Sequence, residues 1–161
     1  MDQIAEAAEV SPSTLFRYFP TKEDIVLMDE DDPVMEAALR ARPAHEPPLT
    51  ALRGALHDTM RQLYAAPEAV AETKQRMRLI ATVPALRARM HENLAVTSEF
   101  LGRALADRTG HPIDSLEVRV FVGATLAGFR EALLHWSAED MRDDLAAIVD
   151  RAVDVLESDL A

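Results

Sequence analysis

The sequence predicts an all-α protein, on three observations. Each long segment repeats its apolar residues with a period near 3.6, and no segment alternates with a period of two. Helix-start signals recur along the chain: Ser11 before Pro12, Thr21 before Glu23 and Asp24, then Pro67, Pro84 and Asp114. Glycine is scarce, five in 161 residues, and Gly110 stands where a long helix should stop.

Taken in order, Asp2 to Ala8 is a short helix with Ile4, Ala7 and Ala8 on one side. Ser11 caps a second, Pro12 to Tyr18, which ends before Pro20; the missing N–H of Pro12 costs nothing at a first helical position. Thr21 caps a third, in which Glu23 and Asp24 favour the helix dipole and Ile25 and Val26 point inward; it breaks or kinks in Asp29-Glu30-Asp31-Asp32-Pro33. Residues 41–48 form a loop. Leu49, Leu52, Leu56, Met60 and Leu63 make the stripe of the next helix, and Val70, Met77 and Ile80 that of the helix begun by Pro67. The helix begun by Pro84 is striped from Leu86 through Met90, Leu94, Thr97 and Leu101 to Leu105. Asp114 caps a helix to His135, and Ser137 caps the last, striped by Leu145, Ile148, Val149, Ala152 and Leu156. The total is about eight helices.

Composition narrows the function classes. No apolar run approaches the roughly 18 to 20 residues of a membrane span, and nothing at the start reads as a signal peptide. The chain has no cysteine, which removes disulfides, thiolate zinc sites and thiol nucleophiles, and suits a cytoplasmic location. The histidines, His45, His57, His91, His111 and His135, form no HExxH and no i, i+4 pair. Neither a Gly-x-Gly-x-x-Gly, a P-loop nor a Gly-x-Ser-x-Gly is present. These patterns call for no catalytic residue, no metal and no cofactor. The formal net charge is -11, and only Lys22 and Lys74 of the 17 basic residues are lysines.

The stretch from Asp2 to Val26, Asp-Gln-Ile-Ala-Glu-Ala-Ala-Glu-Val-Ser-Pro-Ser-Thr-Leu-Phe-Arg-Tyr-Phe-Pro-Thr-Lys-Glu-Asp-Ile-Val, resembles the DNA-binding signature of the TetR family of transcriptional regulators. The aromatic run before Pro20, followed by Lys22, carries most of the likeness. The stretch Arg78 to Arg87 with the later Trp136 resembles the branch of mycofactocin-type regulators. The resemblance implies an incomplete N-terminal helix-turn-helix head at residues 1–32, then a helical ligand-binding and dimerisation bundle at 33–161. Such heads have a further helix ahead of Asp2. Met1 stands where the family often has valine, so a valine GTG codon read as a start would produce this sequence, and the native start is expected upstream.

By the same resemblance, Pro12 to Tyr18 is the recognition helix, entering the major groove of a double-stranded operator. Pro12, Ser13, Thr14 and Arg17 face base edges, with Arg17 able to bond guanine N7 and O6 together. Tyr18 and Lys22 meet phosphates, aided by the Thr21 hydroxyl or nearby N–H groups. Leu15, Phe16 and Phe19 are expected in the core of the head. Residues 1–22 hold Arg17 and Lys22 against Asp2, Glu6 and Glu9, an unfavourable balance for phosphate.

The helix from Asp114 to His135 is apolar almost all round, with Gly123, Ala124, Ala127 and Gly128 permitting close approach. The resemblance implies that the last two long helices pair with those of a second copy, so a homodimer through residues 114–160 is expected, reading a near-palindromic operator as a ligand-responsive repressor. Met77, Ile80, Met90, Phe100, Phe121, Phe129 and Trp136 are candidates to line the cavity of a small-molecule effector, and Arg78, Arg87 and His91 to anchor a polar group on it. The alternative is a truncated dimerisation or ligand-binding protein that does not bind DNA.

Overall fold

The computed structural model describes residues 1–27 and 31–158. Among these, nine helices follow one another with no strand: α1 (Asp2–Ala7), α2 (Pro12–Tyr18), α3 (Lys22–Leu27), α4 (Asp31–Ala41), α5 (Pro48–Leu63), α6 (Pro67–Thr82), α7 (Pro84–Thr109), α8 (Leu116–Ala138) and α9 (Leu145–Glu157). Asp29 and Glu30, part of the expected break, lie outside the described residues; α4 starts at Asp31, with Pro33 in its first turn, where a proline is tolerated.

Two helix caps differ from the sequence reading. Ser115, not Asp114, caps α8, its Oγ accepting from the Val118 N–H at 3.3 Å. Ser137 lies inside α8, and the last helix starts later, capped by Asp144, whose carboxylate accepts from the Ala147 N–H. The reason is the chain reversal between them. Asp140 and Met141 take left-handed φ of 57° and 54°, and the Met141 N–H reaches back to the Trp136 carbonyl at 2.9 Å. The Trp136 indole N–H donates to the Asp143 carbonyl at 2.9 Å, so one aromatic ring, 2% exposed, fixes the turn.

The body holds two apolar clusters. The first joins α4, α5, α7, α8 and α9 through Leu39, Leu52, Leu56, Leu101, Leu105, Val122 and Val149. The second joins α3, α6, α7, α8 and α9 through Leu27, Met77, Ile80, Leu86, Trp136 and Ile148. α8 runs through both, which accounts for the apolar residues on its inner side. Gly128 on α8 lets α9 approach: a Cβ there would sit 3.3 Å from Leu156 Cδ1. At the edge an ion pair, Arg53 to Asp154 at 2.5 Å, and a hydrogen bond between His57 Nε2 and Asp150 Oδ1 at 2.8 Å align α9 with α5. Arg108 on α7 donates to the carbonyls of Arg42, Pro43 and Glu46, which closes the α4–α5 connection onto the bundle.

Gly110 ends α7 with φ 74° and its N–H on the Ala106 carbonyl. A Cβ there meets no atom within 4 Å, so only backbone strain opposes a side chain. Gly110→Ala is expected to lower stability by about 1 kcal/mol in urea unfolding followed by Trp136 fluorescence, without changing the m value.

Candidate nucleic-acid interface and cavity

The turn between α1 and α2 is set by backbone geometry. Glu9 takes a left-handed φ of 56°, the Glu9 N–H bonds the Glu6 carbonyl, and the Val10 N–H bonds the Ala5 carbonyl at 3.0 Å. This double bond pattern is a Schellman closure with glutamate where glycine is usual. Ser11 then starts α2, its Oγ accepting from the Thr14 N–H at 3.1 Å and lying 2.7 Å from Thr14 Oγ1 and 3.0 Å from Ser13 Oγ. α1 and α2 pack against each other, and each has one buried residue, Ala5 and Leu15, 1% and 7% exposed.

This leaves one face of α2 outward. Pro12, Ser13, Arg17 and Tyr18 are exposed, while Thr14 is half-buried with its hydroxyl at the Ser11 cap. The Arg17 guanidinium lies 5.0 Å from the Tyr18 ring centroid, and its Nη2 reaches the Tyr18 hydroxyl at 3.4 Å. Lys22 is exposed, 4.0 Å from Glu23. From Val10 to Lys22 the chain has no acidic residue, so the acids of residues 1–22, Asp2, Glu6 and Glu9, belong to α1 and its turn. The local charge of the outward face of α2 is positive although the head as a whole is negative.

Two expected placements change. Phe16 is 47% exposed rather than part of the core, whereas Leu15 is buried and Phe19 half-buried. Ile4 and Val10 are also exposed. Thr21 has both its donors occupied: its N–H and O–H give to Asp24 Oδ2 at 2.9 and 2.7 Å, and its Oγ1 accepts from the Asp24 N–H at 3.2 Å. This reciprocal cap leaves Thr21 no donor for a phosphate.

The other Asp24 oxygen, Oδ1, accepts from Arg89 Nε on α7 at 2.9 Å. Asp24 thus joins the helix after α2 to the body. The Thr21 hydrogen bond, with Arg89 in support, holds its carboxyl below the usual 3.8 although partial burial opposes ionisation.

Arg89 precedes Met90, which lines a cavity of about 250 Å³ at the seam between the two apolar clusters. Leu27, at the end of α3, lines the same cavity. Of the candidate lining residues, Met77, Ile80, Met90 and Phe129 are at its wall. Phe100, Phe121 and Trp136 are not: Phe100 lies half-buried on α7 with the Arg103 guanidinium 5.9 Å away, Phe121 packs on the first cluster, and Trp136 holds the α8–α9 turn. Arg78, Arg87 and His91 are exposed and outside the wall, whereas Arg76 and Arg130 line it. Arg76 lies one helical step from Met77, but a single charged position beside a stripe does not reveal which way its long stem folds.

On the far side of α8, Leu116 and Val120 are 73% and 58% exposed, beside exposed Gly123, Ala124 and Ala127. Leu156 of α9, 40% exposed, borders the same hollow as Leu116 and Val120, and its neighbour Val155 is 51% exposed.

Residues 1–27 match the family described as bacterial regulatory proteins, tetR family, and residues 46–161 match the MftR C-terminal domain. The HTH-type transcriptional regulator TcmR of Streptomyces glaucescens is 32% identical over 168 aligned positions, covering 99% of this chain and 74% of the relative.

Because its folded pKa is depressed, Asp24 contributes stability that is complete above the unfolded carboxyl value and is lost as pH falls through the folded one. The melting temperature of Asp24→Asn should therefore lie below wild type at about pH 6 and converge on it toward about pH 3. A difference independent of pH would show that the ionised carboxylate contributes nothing.

Proposed function

The chain belongs to the TetR family of DNA-binding transcriptional regulators, and from that premise we propose that it is a homodimeric, ligand-responsive repressor whose α2 reads a near-palindromic operator. Members of this family are regulators, not enzymes. The observation that carries the reading is the outward face of α2, where Pro12, Ser13, Arg17 and Tyr18 are exposed and free of acidic neighbours in the helix. Arg17 reads a guanine by two parallel hydrogen bonds, after leaving the Tyr18 ring. Tyr18 and Lys22 meet phosphates, and Ser13 and Pro12 lie against base edges. Thr21 serves by holding the start of α3, and Thr14 by completing the α2 cap.

Dimerisation uses the exposed patch of α8 and α9. Four large apolar side chains, Leu116, Val120, Val155 and Leu156, stand in water in a single chain, and the open side of Gly123 offers room for a second helix. Asp159 and Leu160 of the expected 114–160 interface lie outside the described residues. A twofold axis there places two α2 helices on successive turns of one DNA face, roughly 34 to 36 Å apart or a multiple of this.

The effector occupies the cavity at the seam. Because Leu27 and Met90 both line it, a ligand that displaces either moves α3 or α7, and the Asp24–Arg89 pair carries that movement to the start of α3. The effect on operator affinity equals the difference in the ligand's affinity for the two head arrangements.

Arg17→Ala is expected to weaken binding to DNA from beside the protein's own gene by about 1–3 kcal/mol in fluorescence anisotropy, and to relax the preference at one base pair. Equal binding by variant and wild type would remove Arg17 from the interface. Val120→Glu should leave the circular dichroism unchanged, since Val120 is exposed in the single chain, and move sedimentation from dimer to monomer. A dimer that survives it uses another surface.

A further inference from the structure

The cavity wall is mostly apolar, yet it includes two arginines, Arg76 on α6 and Arg130 on α8. No carboxylate among the described residues lines it; its other polar groups are hydroxyls and the Asn93 amide. Arg130 already has a counterion, its Nη2 giving to Glu131 at 2.7 Å. Arg76 is half-buried, and among the described residues it has no hydrogen-bond or ion-pair partner. An arginine is always charged, and a partly desolvated cation without a partner is costly unless an anion joins it. A cationic ligand would meet two like charges, and a neutral one would leave Arg76 unpaired.

Resting on the reading of this cavity as the effector site, we propose that its ligand is a compact apolar monoanion, a carboxylate on a hydrocarbon body, with Arg76 pairing the carboxylate. The 250 Å³ volume equals about eight waters at roughly 30 Å³ each, so a body of about eight to ten carbons fills it. The fork of Arg76 suits the two carboxylate oxygens, and Met77, Met90, Leu27 and Phe129 surround the hydrocarbon.

Calorimetric titration of the full chain with octanoate, octanol and octylamine tests this. Octanoate should bind about tenfold or more tighter than either of the others. Arg76→Gln should remove that preference while leaving octanol binding unchanged, which also shows that the cavity is intact, and Arg76→Lys should keep part of it. Octanol binding as well as octanoate, a preference for octylamine, or no binding by any probe overturns the ligand class. A carboxylate preference that survives Arg76→Gln overturns the assignment of Arg76. Operator affinity is measured in parallel: octanoate bound through Arg76 with no change in DNA affinity leaves the ligand class standing and defeats the ligand-responsive reading instead.

Discussion

The Asp24 carboxylate joins the two functional halves of the chain. One oxygen takes both donors of Thr21 and so fixes the start of α3, immediately after the proposed recognition helix. The other takes Arg89 of α7. Helices as short as α1, α2 and α3 are marginal by themselves, and their order comes from caps and tertiary contacts. In this head little of α1 and α2 is buried, Ala5 in one and Leu15 in the other. Attachment through α3 therefore decides how α2 is presented, and one ion pair contributes the polar part of that attachment. At 37% and 16% side-chain exposure the Arg89–Asp24 pair is more shielded than a surface bridge, so salt weakens it less.

Below this joint the body is arranged around a seam. The two apolar clusters share α7, α8 and α9 but do not close completely, and the cavity lies where Leu52, Leu56 and Leu101 of one face Leu27, Met77 and Ile80 of the other. The seam is a mechanically useful place for a ligand, because its walls include the end of α3. The opposite face of α8 has no cover in the single chain. Inner face toward the cavity, outer face toward a second copy, α8 is the element through which ligand, dimer and head spacing meet in the proposed mechanism.

Much of this was legible in the sequence. The cap signals at Ser11, Pro67, Pro84 and Gly110 marked true boundaries because each is a local effect, decided by one or two residues. The Ser137 reading failed because a tertiary contact, the Trp136 indole on the Asp143 carbonyl, keeps α8 helical past a good capping residue. Phe16 read as core since large aromatics usually are, but an exposed aromatic is a matter of which neighbours exist. The cavity was half legible: periodicity places Met77, Ile80 and Met90 on inward faces, but it does not say which inward face meets a void and which meets another helix. The partners of Asp24 and Arg89, 65 residues apart, carry no sequence signal.

The most direct measurement of the central claim, that paired α2 helices read DNA on a twofold axis, is selection of bound sequences from a random duplex pool by the full chain. The account predicts enrichment of a near-palindrome with half-sites spaced by about one helical turn or a multiple of it, and a guanine in each half-site whose enrichment disappears with Arg17→Ala. Failure of a folded, dimeric chain to enrich any sequence, or enrichment of an unpaired asymmetric site, would contradict it.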